Sequence, residues 1–107
     1  MSETKRVTLL LEMLKNDPND VFLIYALALE HAKEERLEEA IGLLEKAHSI
    51  NESYLPAYYQ LGKLYEQTGE SQKAIQIYRK GIFIANSKKD MKTIGELEEA
   101  LMIIDEL

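Results

Sequence analysis

Apolar residues recur at helical spacing along most of this chain, and short polar stretches, most of them holding Gly, Pro, Asn or Asp, cut the pattern into six segments. In residues 3–15, Val7, Leu10, Leu11 and Leu14 form a one-sided stripe, with Glu3, Lys5, Arg6, Glu12 and Lys15 elsewhere and Met13 as adaptable filler. Asn16-Asp17-Pro18-Asn19-Asp20 then breaks the pattern: Asp17 is the expected cap, Pro18 suits the first helical position, and Asp20 adds negative charge to the first turn. The helix predicted over residues 19–33 holds the most apolar stretch, VFLIYALALEHA, as expected for a helix buried on more than one face. Glu34-Glu35-Arg36 makes a turn into a helix over 37–49, whose inner stripe is Ala40, Ile41, Leu44 and Ala47. Asn51 suits a left-handed C-terminal position, Ser53 can cap the next helix, and Pro56 falls in its first turn. Two further helices flank Thr68-Gly69-Glu70, one carrying Tyr58, Leu61, Gly62 and Tyr65, the other Ala74, Ile77, Tyr78 and Gly81. Asn86 reads as a helix stop, and Ser87 with Asp90 approximates a capping box. The last helix has Ile94, Leu97, Leu101 and Ile104 on one side, with Met102, Ile103 and Leu107 widening its apolar surface.

A shift of 34 residues lays this pattern on itself. Tyr25 falls on Tyr59, Leu27 on Leu61, Ala40 on Ala74, Ile41 on Ile75, Lys46 on Lys80, Ile50 on Ile84 and Ser53 on Ser87, without a gap. Ala28 with Gly62, Leu44 with Tyr78 and Ala47 with Gly81 keep their chemistry. A 34-residue period of helix, turn and helix is the mark of a helical repeat array. Ala28, Gly62, Ala40, Ala74, Ala47 and Gly81 are small where antiparallel helices must approach closely, and Tyr58, Tyr65, Tyr78, Ile24 and Leu44 fill the gaps. The match is weakest at the turn: Glu35 stands where the second repeat has Gly69, so Glu35 either accepts a positive φ or the turn differs.

These residues resemble the tetratricopeptide repeat family. The second repeat follows that family's pattern as Tyr58, Leu61-Gly62, Tyr65, Ala74, Tyr78 and Gly81, with Asn86 in place of the usual Pro. The first follows it more loosely as Ile24, Leu27-Ala28, His31, Ala40, Leu44 and Ala47, with Glu52 at the Pro position. The resemblance implies an all-α fold, a right-handed superhelical array of antiparallel helix pairs with about six helices in one domain over 1–107. Its parts are a half-repeat helix at 3–15, repeats at 21–54 and 55–88, and a capping helix at 89–107. It also implies a concave face lined by the first helix of each pair. The positions left over from the core place Phe22, Tyr25, Leu29 and Lys33 there, then Tyr59, Gln60, Lys63 and Gln67, then Thr93, Ile94 and Leu97. Tyr25 and Tyr59 are equivalent and join apolar area to a polar tip; they read either as anchors for a partner or as packing between helices. The last helix reads either as a cap or as the seam of a dimer. Family members that bind chaperone C-terminal carboxylates use Lys, Asn and Arg at positions that here hold Tyr25, Leu29, Gln60, Asp90 and Ile94. The cationic pincer is missing, so a carboxylate-clamp role is not expected.

Composition narrows the function classes. The chain has 107 residues, 13 Lys+Arg against 19 Asp+Glu, and net charge −6, which argues against nucleic acid or an anionic membrane as partner. The absence of cysteine removes disulfides and thiolate metal sites. The run Val7–Leu11 ends at Glu12 with no small-residue cleavage site, and nothing approaches the roughly 18 apolar residues of a membrane span, so a soluble cytoplasmic protein is expected. His31 and His48 lie on different helices; Glu34-Glu35, Glu38-Glu39 and Glu98-Glu99 are adjacent pairs that point different ways on a helix. The glycines form no phosphate-binding loop, and Ser2, Ser49, Ser53, Ser71 and Ser87 lack a base nearby. The sequence therefore predicts no catalytic residue, cofactor or metal. It predicts a protein-protein interaction module that receives a peptide or partner helix, with a self-associating homodimer as the alternative.

Overall fold

The computed structural model describes residues 4–105; Ser2, Glu3 and Leu107 lie outside the described residues. Six helices follow one another, and among the described residues there is no strand: α1 (Lys5–Asn16), α2 (Val21–Lys33), α3 (Leu37–Ile50), α4 (Pro56–Gln67), α5 (Ser71–Lys88) and α6 (Met91–Asp105). The chain divides between Glu52 and Ser53 into two compact units. In the first, α2 packs on both α1 and α3; in the second, α5 packs on both α4 and α6. Short turns between packed neighbours make each pair antiparallel. Among the described residues no helix is long and apolar enough to cross a membrane.

The core of the first unit joins Val7 and Leu10 to Leu23, Ala26 and Leu27, with Leu14 and Leu43 packed against them. Ala28, Ala40, Leu44 and Ala47 are fully buried alongside. One charged residue lies in this interior. Glu30 has a side chain 9% exposed and is met by Arg6 Nε at 2.8 Å and Lys33 Nζ at 3.6 Å, so an ion pair fastens α1 to α2. In the second unit Tyr58, Leu61, Tyr78, Ala74, Ala85 and Leu97 form the interior. A Cβ built on Gly62 would stand 2.1 Å from Tyr78 Cε1, and one on Gly81 would meet Leu97 and Tyr58 at 2.8 and 2.9 Å. Both positions are bare because neighbouring helices fill the space.

Several helix ends differ from the sequence reading. Asp20, not Asp17, caps α2, accepting the Leu23 N–H at 3.1 Å; Pro18 stays in the preceding turn. Asn51 is extended at φ −144°, not left-handed, and α4 begins at Pro56 with no side-chain cap from Ser53. Helix α5 runs through Asn86 to Lys88 and ends on Lys89 in the left-handed region at φ 58°. Asp90 alone then caps α6, its carboxylate accepting the Thr93 N–H at 3.1 Å and the Thr93 hydroxyl at 2.8 Å. Those bonds hold the Asp90 carboxyl below its ordinary pKa.

The turns answer the question posed by Glu35. Glu35 takes φ 61° where Gly69 takes φ 82°. Arg36 N donates to His31 O at 2.9 Å, as Glu70 N does to Tyr65 O at 2.8 Å and Asp90 N to Ala85 O at 3.0 Å. One left-handed C-terminal motif thus closes α2, α4 and α5, and only α4 uses glycine for it.

Candidate partner-binding surface

Helix α2 turns Leu23, Ile24, Leu27 and Ala28 into the core, which leaves Phe22, Tyr25, Leu29 and Lys33 as a separate stripe spaced three and four apart. Phe22 is 62% exposed, Tyr25 and Leu29 are half-buried, and Lys33 is exposed with its ammonium near Glu30. Helix α4 buries Ala57, Tyr58, Leu61, Leu64 and Tyr65, which leaves Tyr59, Gln60 and Lys63 half-buried and Gln67 exposed.

On α4 the stripe is tied to the interior. Lys63 Nζ lies 5.9 Å from the centroid of the Tyr59 ring and 3.8 Å from Glu66 Oε2. The same oxygen accepts the buried Tyr78 hydroxyl at 2.5 Å. Burial pushes the Tyr78 phenol well above its ordinary pKa, and the Glu66 hydrogen bond and charge push it further, so the phenol is a fixed neutral donor. The Lys63 ammonium is therefore placed between an aromatic face and a carboxylate that is itself held from below, which limits the rotamers it samples.

Helix α6 does not present the residues expected of it. Ile94 is 7% exposed and Leu97 is fully buried, with Leu97 beside Gly81 of α5. Both hold α6 in the second unit and offer a partner no area; Thr93 is engaged with Asp90. The reason lies in the register. The positions equivalent to the buried Tyr58, Leu61, Gly62 and Tyr65 of α4 hold Lys92, Gly95, Glu96 and Glu99 in α6, all exposed, so α6 buries a different side. Glu66 and Glu30 escaped the sequence reading. The signal was there in the 34-residue comparison: Glu66 answers to Ala32 just as Tyr78 answers to Leu44, and Glu30 answers to the buried Leu64.

The comparisons with known proteins agree on the architecture. The family profile described as tetratricopeptide repeat matches residues 31–94. A tetratricopeptide repeat domain protein from Salinibacter ruber is 36% identical, with 82% of this chain and 98% of that chain covered and a TM-score of 0.79. A Bordetella parapertussis protein shares the fold at 24% identity and TM-score 0.83, covering 99% of this chain and 90% of that one. So does the TPR2B domain of yeast Sti1, solved in complex with pHsp70, at 19% identity and TM-score 0.86, covering 94% and 80%. No curated protein sequence matches the chain. With a matched profile over more than half its length, two helix pairs at a 34-residue period and the small–large core alternation in place, this chain belongs to the tetratricopeptide repeat family.

Proposed function

We propose that this chain is a non-catalytic adaptor that binds a peptide or partner helix along the outward stripes of α2 and α4, with Tyr25 and Tyr59 as anchors. The family's fold serves protein–protein interaction, and the observation carrying the finer reading is the pair of equivalent stripes that core packing leaves over. Each offers a tyrosine with a polar tip, the kind of side chain that dominates interface energetics. Phe22 adds exposed apolar area on α2, and Lys63 adds a positioned cation on α4 for a carbonyl or carboxylate of the ligand. The ligand is not a chaperone C-terminal carboxylate: the positions a cationic pincer needs hold Tyr25, Leu29, Gln60, Asp90 and Ile94, and Asp90 is occupied with Thr93. Net charge −6 disfavours nucleic acid and anionic membranes as partners.

A displayed peptide library selected on the wild-type chain, followed by calorimetric titration of the best peptide, tests this reading. Tyr25→Ala with Tyr59→Ala should weaken binding at least about tenfold while thermal melting stays within a few degrees. Undiminished binding, or a collapsed fold, would return both tyrosines to the role of packing. Self-association is the second reading, and Met91, Met102 and Ile103 on α6, exposed by 72%, 58% and 51%, favour it.

A further inference from the structure

Helices α5 and α6 carry opposite charge on their solvent faces. Residues 71–89 hold Lys73, Arg79, Lys80, Lys88 and Lys89 and no acidic residue, within a chain whose net charge is −6. Residues 91–105 hold Glu96, Glu98, Glu99 and Asp105 against Lys92. Among the described residues, Arg79, Glu98 and Glu99 have no ion-pair partner.

Apolar shape accompanies the charge. Phe83 is 73% exposed and sits one turn from Arg79 on the outer side of α5. At the equivalent position α3 has Ser49, so neither the period nor the core asks for an aromatic ring there. On α6, Gly95 lies mid-helix, where glycine costs roughly 1 kcal/mol relative to alanine. A Cβ added there would meet nothing within 4 Å, so no internal packing requires the gap. Met91 and Met102 stand one turn before and two turns after it, and Glu98 and Glu99 flank it, all exposed. Gly95 is thus a bare notch between two polarisable side chains with an acidic rim.

We infer that the outer face of α5 docks on the outer face of α6 of a second copy of this chain, with Phe83 seated over Gly95 between Met91 and Met102. The cations beside the ring face the acids beside the notch, and sulfur–aromatic contact suits the methionines. Helix α6 presents its Leu97 side to α5, so its notch points away from its own α5. The contact is therefore heterologous: each copy offers α5 to one neighbour and α6 to another. A patch of one helix face per copy falls below a standard interface in area, so the association is weak and sensitive to salt. This form of self-association goes beyond the peptide-binding reading and does not depend on it, because it uses none of the residues on the stripes of α2 and α4.

Sedimentation equilibrium on the wild-type chain and two variants tests the inference. Phe83→Ser places the α3 residue on α5; Gly95→Gln with Met102→Glu fills the notch. All three positions face solvent, so no variant should melt below wild type, and Gly95→Gln should gain stability by removing a mid-helix glycine; melting profiles would be recorded. Wild type should associate with concentration at low salt and less so at about 0.5 M salt. Each variant alone should associate at least about tenfold more weakly. Mixed, they should form a one-to-one complex of wild-type affinity and nothing larger, since one variant keeps an intact α6 face and the other an intact α5 face. Tyr25→Ala with Tyr59→Ala should associate as wild type does, which separates this contact from the peptide surface. A wild-type monomer up to several hundred micromolar, a variant that associates undiminished, or a mixture no better than its components would each overturn the inference.

Discussion

Gly62 lies under the ring of Tyr78 in the second hairpin; at the equivalent places in the first stand Ala28 and Leu44. The smaller residue accompanies the larger partner, and the third member of the set follows from chemistry. A buried phenol needs an acceptor, and the second hairpin supplies Glu66; a buried leucine needs none, and the first hairpin has Ala32 there. The polarity runs the other way two residues earlier in the first helices. There the second hairpin buries Leu64, while the first buries Glu30 and depends on Arg6 of α1 to neutralise it. The period thus fixes which positions face inward. Volume and polar pairing are settled within each unit, and the residues at one position have meaning only together with their partners.

The two hairpins are least interchangeable at Gly62. Gly62→Ala drives a methyl into a fully buried ring and should cost about 3 kcal/mol, the upper end of overpacking, read as a melting temperature roughly 13 °C lower. Next in size is the ion pair. Arg6→Ala should cost about 1–2 kcal/mol in chemical unfolding, discounted because Arg6 is 65% exposed and Lys33 remains near Glu30. Glu30→Leu, which writes the second hairpin's residue into the first, should fall within about 1 kcal/mol of wild type, since apolar replacement of a buried pair is commonly neutral. Smaller again are the turns. Glu35→Gly should stabilise by roughly 0.5–1 kcal/mol and Gly69→Ala should destabilise by a similar amount, because both positions take positive φ.

The mildest contrast is with pH. The folded-state pKa of Tyr78 lies above its unfolded value, so its contribution is fully present below about pH 10 and is lost as pH rises beyond it, where only the unfolded chain releases the proton. Unfolding midpoints of wild type should therefore fall more steeply above about pH 10 than those of Tyr78→Phe. Parallel curves would show that the phenol is not held neutral.

Much of this fold was legible in the chain. The 34-residue identities placed both hairpins, and the small positions at 28, 62, 40, 74, 47 and 81 marked close helix contacts. Helix ends were less legible because several residues could serve each cap. Asp17 and Asp20 both fit before α2, and the structure starts the helix after Asp20, whose carboxylate accepts the Leu23 N–H. Asn86 reads as a stop, yet its side chain bonds back to the Ile82 carbonyl at 3.1 Å and the helix continues another half turn. The outward stripes of α2 and α4 were legible, because core assignment leaves one stripe over on each helix. Ile94 and Leu97 were misread, because α6 keeps the period's spacing while burying another side. Glu30 was hidden for a different reason: its partner lies on another helix, and an isolated Glu in an apolar run does not announce an Arg 24 residues earlier.

Residues 62, 66 and 78 solve as a set the contact that residues 28, 32 and 44 solve differently. A double-mutant cycle in chemical unfolding tests this most directly, with Gly62→Ala, Tyr78→Leu and the two combined. Overpacking should destabilise the first and a cavity the second, each by about 2–3 kcal/mol. Combined, they recreate the first hairpin's Ala and Leu, so the double variant should be more stable than either single one, with a coupling of at least about 2 kcal/mol. Additive losses would mean instead that Gly62 and Tyr78 occupy their places independently.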